Sequence, residues 1–303
     1  MSKSFTNIIL MVRPHNFGYN SETAENNGFQ SQLNVSKKII KEKAISEFDE
    51  MVDLLVQHGV DVIIVEDTPD PPKPDAVFPN NWFSTHPGRF VLYPMYAENR
   101  RIERRGDIIE QLIQHYGYQS IESYTHNEAE NKMLEGTGSM ILDRDNKIAY
   151  ACISERTNQD LFFQWCQSFD YRPEAFTAVD KNKDLIYHTN VMMALGKTFV
   201  IVCLEAVSSP TDRENLLNAF AESEKTVIDI TLEQMENFAG NMLQVLDQDG
   251  KPILVMSARA FSSLTEEQVS TIESHTTILA PQIPTIETIG GGSVRCMMAE
   301  IFS

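Results

Sequence analysis

The stretch Met133–Cys166, MLEGTGSMILDRDNKIAYACISERTNQDLFFQWC, carries one structural unit almost complete. Met133–Ser139, broken by Gly136 and Gly138, reads as a turn. Met140–Asp143 reads as a strand, Arg144–Asn146 as a hairpin turn, and Lys147–Ile153 as the apolar returning strand. Ser154–Asn158 then opens a helix through Cys166, and Thr157 or Asn158 can cap it with a side-chain oxygen.

The order strand, hairpin, helix, strand recurs along the chain. Tyr187–Asn190 leads into an apolar strand, Val191–Leu195, then a strand at Thr198–Leu204, a helix near Arg213–Ser223 and a strand at Thr226–Ile230. Asn237–Asn241 leads into Met242–Leu246 and its mate Ile253–Ser257, followed by a helix at Leu264–His275 and a strand at Thr277–Ala280. Towards the start, Asn7–Arg13 reads as a buried strand. The loop after it, Pro14–Asn20 with Phe17, could reach over a site, though an ordinary surface loop is the simpler reading. Lys37–His58 repeats apolar residues at helical spacing and stops at Gly59 before the strand Val60–Glu66. The four prolines of Asp67–Pro74 make an irregular loop, Phe90–Tyr93 is a short strand, and Asp107–Tyr116 is an amphipathic helix. No long linker or low-complexity tract interrupts the series, so residues 1–303 read as one α/β domain. Repeats of this kind gather functional loops on one face.

Composition limits the function. The chain has 303 residues, is 42% hydrophobic and has a formal net charge of -18. That charge argues against nucleic-acid binding, and no apolar run is long enough to span a membrane. Met1–Asn7 has no long apolar stretch behind a basic start, which speaks against a signal peptide. Cys152, Cys166, Cys203 and Cys296 form no C-x-x-C pair and no zinc spacing with histidine. Reduced thiols in a cytoplasm are expected, with no metal and no organic cofactor.

Chemistry concentrates at Gly290-Gly291-Gly292-Ser293-Val294-Arg295-Cys296. Three glycines let backbone approach a ligand closely, and a thiol follows. Either Cys296 is a nucleophile, or it is filler ahead of a buried C-terminal strand, Val294–Phe302. A nucleophile needs a base. Of the seven histidines, His188 lies where a polar segment meets an apolar strand, so its ring can be half-buried and held. A catalytic histidine needs an orienting carboxylate, and Glu135 in the Glu-Gly-Thr-Gly turn is the best placed. Each also has an ordinary reading, a structural histidine and a surface glutamate.

Five segments in order, Asp75-Ala-Val-Phe-Pro-Asn-Asn-Trp-Phe, Leu134-Glu-Gly-Thr-Gly-Ser, Ser154-Glu-Arg-Thr-Asn, His188-Thr-Asn and Gly290–Cys296, resemble the guanidino-group-modifying enzymes of the pentein fold. That superfamily spans arginine deiminases, dimethylarginine dimethylaminohydrolases, amidinotransferases and citrulline hydrolases. Residues 79–86, Pro-Asn-Asn-Trp-Phe-Ser-Thr-His, are similar to its citrulline-utilising branch. The resemblance implies a five-bladed ββαβ propeller with pseudo-fivefold symmetry and the site on its axis. It implies Cys296 as nucleophile, His188 as general acid/base and Glu135 as the carboxylate bonding that histidine or the substrate head. Asp75, Asn80, Asn81 and Asn190 stand at head-group positions, Gly291 and Gly292 close to the substrate. Arg156 matches an arginine that holds the α-carboxylate, and Arg100 or Arg101 a second one.

Two departures bear on the substrate. Arginine deiminases carry an aspartate where Asn190 stands, and they and their relatives an acid where Asn81 stands. A buried guanidinium needs anionic partners. A neutral ureido group is matched by amides. The expected reaction is therefore hydrolysis of an amino acid such as L-citrulline to ornithine, ammonia and carbon dioxide through a covalent cysteine intermediate. Arginine or dimethylarginine hydrolysis stays open, because Asp75 and Glu135 still supply negative charge. So do amidino transfer to a second amine and, in a different class, a non-catalytic pentein binding protein. The expected partner is a small amino acid, and a homo-oligomer is open.

Overall fold

The structure is a computed structural model and describes residues 4–303; of the signal-peptide reading, Met1–Lys3 lie outside the described residues. Fifteen strands form five three-stranded sheets. The first holds β1 (Ile8–Arg13) and β2 (Asp61–Glu66), paired in parallel. The next is β3 (Phe83–His86), β4 (Arg89–Leu92) and β5 (Ser120–Ser123). Then come β6 (Ile141–Asp143), β7 (Ile148–Cys152) and β8 (Arg172–Phe176). The fourth is β9 (Met193–Leu195), β10 (Phe199–Val202) and β11 (Thr226–Asp229). The fifth is β12 (Leu243–Leu246), β13 (Pro252–Val255) and β14 (Thr277–Leu279). Each of these last four is an antiparallel hairpin whose second strand pairs in parallel with the third. The first sheet gains its hairpin strand from β15 (Ala299–Glu300), which lies antiparallel to β1.

A helix makes every parallel crossover: α1 (Lys37–Gln57), α2 (Gly106–Tyr116), α3 (Gln159–Phe169), α4 (Pro210–Glu222) and α5 (Glu266–Glu273). Local chemistry sets their ends. Ser36, Asn158 and Ser209 accept backbone N–H groups as N-caps, with Pro210 at the first helical position of α4. Gly117, at φ 67°, ends α2 in the left-handed region that glycine enters without cost. The helices bury one face. In α1, Ile40, Ala44, Phe48, Met51, Val52 and Leu55 recur at helical spacing and are buried. Burying a side chain such as Phe48 contributes about 1.5–3 kcal/mol.

Several sequence expectations change here. The helix expected at Leu264–His275 is present as the shorter α5, and a separate helix, Ala258–Ser263, precedes it. Ala258–Ser263 ends at an extended Leu264, and Thr265 starts α5 with a capping box. Val191–Leu195 is not all strand, because Thr189–Met192 is a helical turn and only Met193–Leu195 pairs. Val294–Phe302 likewise divides into a turn, Val294–Met297, and the short β15. Burial alone cannot tell a short apolar strand from a buried turn. The strands β5 and β8 and the helix Pro284–Gly290 were not anticipated.

These turns share one place in the repeat. Pro79–Asn81 precedes β3, Gly136–Ser139 precedes β6, Thr189–Met192 precedes β9, and Val294–Met297 precedes β15. Before β12 the chain turns at Phe238–Asn241, where Asn241 N–H donates to Phe238 O. Each sheet thus begins from a buried turn, and the turns carry the polar residues.

Candidate active site

Cys296 is the third residue of its turn and is 4% exposed. Two amide nitrogens converge on its sulfur, Asn190 Nδ2 at 3.4 Å and Asn241 Nδ2 at 3.3 Å. Asn241 also donates to Asn190 O at 2.8 Å, and its Oδ1 accepts Arg295 N–H at 3.1 Å. Asn241 therefore ties the nucleophile's turn to the turn that follows His188. The glycine run is held from its carbonyl side. Tyr187 Oη donates to Gly291 O at 2.7 Å, Asn27 Nδ2 to the same oxygen at 3.2 Å, and Gln30 Nε2 to Gly290 O at 3.0 Å. At Gly291, φ is +64° and a Cβ would fall 2.6 Å from Asn27 Nδ2, so only glycine fits. The ring of Phe78 packs where Gly292 would carry a Cβ.

His188 Nε2 and Glu135 Oε2 lie 2.7 Å apart, both fully buried. The other oxygen of Glu135 accepts Tyr96 N–H at 2.8 Å, which fixes the carboxylate. Burial by itself would raise the Glu135 pKa, but Arg156, the His188 hydrogen bond and Arg100 outweigh it and hold the carboxyl at about 2. Burial also dominates at His188 and lowers it to about 4 in spite of Glu135. The pair is thus a neutral imidazole bound to a carboxylate near neutral pH, the state able to take a proton. Gly138 makes room for the ring: a Cβ there would sit 2.8 Å from His188 Nδ1.

Asp75, Asn81, Arg100, Arg156, His188, Gly290, Gly291, Gly292 and Cys296 line one cavity. Arg156 donates to Thr23 O at 2.8 Å and to Asn26 Oδ1, lies 3.7 Å from Glu135 and stacks 4.8 Å from the Tyr187 ring centre. Asp75 Oδ2 accepts from Asn20 Nδ2 at 2.7 Å and Thr23 Oγ1 at 3.1 Å, while Oδ1 has no protein partner. Burial raises its pKa, against the pull of Arg100. Arg100 keeps its donors largely inside the protein, on Glu103, Phe78 O and Asn81 Oδ1.

Three expected residues take other places. Arg101 does not line the cavity; it donates to Met95 O at 3.1 Å and pairs with Glu128 and Glu98. Asn80 faces Thr137 in a contact between turns. Phe17 backs Gly290, whose Cβ would be 3.2 Å from its ring, and the Pro14–Asn20 loop does not roof the site. The roof is the segment that follows it: Thr23, Asn27 and Gln30 face the cavity, while Ala24, Glu25, Asn26, Gly28 and Phe29 face an outer cleft of about 720 Å³. Beneath the roof the cavity measures about 20 Å³, the space of about one water molecule.

Among the residues that sequence reasoning missed are Asn241, Gln30 and Glu103, together with Thr23, Asn27 and Tyr187. Only Asn241 had a readable signal, being the polar residue of the fourth turn at the repeat position held elsewhere by Asn81, Asn190 and Cys296. Among the described residues no cluster of three or more His, Cys, Asp or Glu side chains has metal-site geometry. No described helix is long and apolar enough to cross a membrane.

Residues 13–303 match the family model described as N,N dimethylarginine dimethylhydrolase, eukaryotic. No curated protein matches the sequence. Among solved structures the chain resembles the apo structure of ArgZ, an arginine dihydrolase from the ornithine-ammonia cycle in cyanobacteria, at 16% identity and TM-score 0.75; 96% of this chain is covered but only 40% of that ArgZ chain. The N-terminal domain of ArgZ bound to substrate matches at 16% identity and TM-score 0.74, with 97% of each chain covered. DDAH from Pseudomonas aeruginosa complexed with citrulline matches at 17% identity and TM-score 0.67, covering 99% of this chain and all of the other. At these identities the structural matches establish a shared fold.

Proposed function

The chain belongs to the N,N dimethylarginine dimethylhydrolase family, within the pentein-fold guanidino-modifying superfamily; from that premise we propose that it is a hydrolase acting on carbon–nitrogen bonds, one that opens the ureido group of an arginine-like amino acid, with L-citrulline as the substrate of choice. One observation carries the choice. The side chains that hydrogen-bond the sulfur are the amides Asn190 and Asn241, and a third amide, Asn81, lines the cavity. Amides match a ureido group, which offers both N–H donors and a carbonyl acceptor, whereas a guanidinium would have to find its anions in Asp75 and in Glu135 behind His188. Asp75 supports the competing guanidino reading, since its unpaired Oδ1 also faces the cavity.

In this reading the described chain acts as one catalytic domain, a pseudo-fivefold arrangement of ββαβ units around the cavity. The substrate's α-carboxylate is assigned to Arg156, and its ammonium to the unpaired oxygens of Asp75 and Gln30. Cys296 Sγ gives its proton to His188 and attacks the ureido carbon. Negative charge moves to the ureido oxygen, where amide N–H groups stabilise it. The bond from carbon to the substrate's Nδ then breaks, with His188 returning the proton to that nitrogen, so ornithine leaves and a carbamoyl thioester remains on Cys296. Water, losing a proton to neutral His188, attacks the same carbon. The C–S bond breaks, the thiol regains the proton, and carbamic acid leaves to decompose into ammonia and carbon dioxide. The 20 Å³ cavity requires the segment around Thr23–Gln30 to open for substrate entry.

Purified protein incubated separately with citrulline, arginine and dimethylarginine tests the assignment. Ornithine and ammonia from citrulline are the expected products; efficient formation of citrulline from arginine or dimethylarginine, with citrulline itself inert, would overturn it.

A further inference from the structure

Arg100 meets the cavity with most of its hydrogen bonds already made. Its Nε and Nη2 hold the two oxygens of Glu103 at 2.9 Å each, Nη2 also donates to Phe78 O at 3.1 Å, and Nη1 donates to Asn81 Oδ1 at 2.8 Å. The Arg100 and Glu103 side chains are 3% and 1% exposed. A guanidinium has five N–H groups and no acceptor. The atom of Asn81 that faces it must therefore be the oxygen, and the amide nitrogen must point the other way. That nitrogen, Asn81 Nδ2, is buried without a protein partner, and Asn81 lines the cavity. It lies beside His188: both crowd the point where Gly138 would carry a Cβ.

From this arrangement we infer that Arg100, charge-balanced by Glu103, is a positioning residue that sets selectivity for the reacting head of the substrate, by fixing Asn81 as a hydrogen-bond donor to it. The inference rests on the ureido reading above and deepens it. An unrestrained asparagine amide can turn over and offer oxygen or nitrogen at will. Arg100 removes that choice. The donor it leaves in the cavity suits the carbonyl oxygen of a ureido group, and the bond strengthens as that oxygen gains charge during attack. A guanidinium presents only N–H groups there. Donor would face donor, and both would be buried unpaired. Glu103 makes the device tolerable in the interior, because it neutralises Arg100 without consuming the N–H that holds Asn81.

The test compares kcat/KM for citrulline with kcat/KM for arginine. These substrates share the same amino-acid end, so any contact between residue 100 and the α-carboxylate cancels in the ratio. Arg100→Lys, still donor-only, keeps the wild-type ratio. Arg100→Met/Glu103→Leu removes the donor together with its counter-charge, leaves no orphan ion, and lowers the citrulline-to-arginine ratio by about tenfold or more. Thermal unfolding checks that the double variant folds; if it does not, Arg100→Gln/Glu103→Gln keeps the shape and lets the Asn81 amide turn either way. Where turnover of one substrate is too slow to measure, the ratio of Kd values in a Cys296→Ala background gives the same comparison. A folded double variant whose ratio stays within about twofold of wild type overturns the inference. The wild-type ratio tests the ureido reading separately: arginine preference there ends that reading, while the change on unlocking still decides the role of Arg100.

Discussion

At the scale of single residues the site is a set of atoms whose partners decide their use. Cys296→Ala removes the attacking sulfur from a buried turn, and kcat is expected to fall by at least about a thousandfold while the thermal midpoint stays near wild type. Full activity in that variant would end the covalent mechanism. Glu135→Gln leaves the shape but takes away the charge that steadies imidazolium; kcat falls by about 10²–10⁴-fold with KM little changed. His188 also gives a pH prediction. Its folded pKa of about 4 lies below the ordinary 6.5, so between those values the unfolded chain binds a proton that the folded chain refuses. This contribution therefore costs stability as pH falls through 6.5 towards 4, and stability rises with pH across that window. The acid limb of kcat/KM for the free enzyme falls nearer 4 than 6.5. A limb at 6.5 would show that the ring is not buried beside Glu135 as described. Cys296 and Glu135 stand out in the sequence by residue type and neighbouring glycines, and His188 by its place where a polar segment meets an apolar strand. Sequence reading missed Gln30, which bonds Gly290 O far along the chain, and Glu103, whose partner Arg100 is three residues away but whose burial only packing supplies.

At the scale of elements the turns preceding β3, β6, β9, β12 and β15 carry most of the chemistry, and the crossover helices carry stability. Thr265→Ala breaks a capping box in which Oγ1 accepts Gln268 N–H at 3.2 Å and the Gln268 side chain returns to Thr265 N–H at 2.9 Å. It should cost about 0.5–2 kcal/mol in urea unfolding with kcat/KM unchanged. The opposite outcome belongs to Gly138→Ala, where the added methyl meets both Asn81 and His188: activity collapses, and more steeply than stability. Helices were legible because their apolar period and caps are local. Within the turns at Thr189–Met192 and Val294–Met297, Val191–Met192 and Val294–Met297 were read as strand, since both stretches are short, buried and followed by apolar residues. Their helical form is settled by tertiary partners, such as Thr189 Oγ1, which donates to Ser139 O at 2.6 Å and accepts Cys152 N–H at 2.8 Å.

At the scale of the whole molecule, long-range bonds join the chain's first and last strands to their neighbours. Thr85 Oγ1 in β3 donates to Glu300 O at 3.0 Å and accepts Phe302 N–H at 2.7 Å, while Thr6 Oγ1 donates to Ile301 O at 2.7 Å. Thr85→Val keeps the volume but leaves a buried carbonyl and N–H unpaired, and should lower unfolding free energy by about 1–3 kcal/mol, read from chemical denaturation. An unchanged value would mean that β15 is not held to β3 in solution. The sequence by itself determined the repeated strand, hairpin, helix order, the crossover helices and the reactive residue types, because these follow from covalent character and from the spacing of apolar groups. Only the tertiary structure decided that Arg101 lies elsewhere, that Thr23–Gln30 forms the roof, and that Arg100 turns the Asn81 nitrogen into the cavity. Those outcomes are hydrogen-bond choices set by packing, some between near neighbours such as Arg101 and Met95 and some across the chain such as Gln30 and Gly290, and an amide or a guanidinium has no preferred partner until folding supplies one.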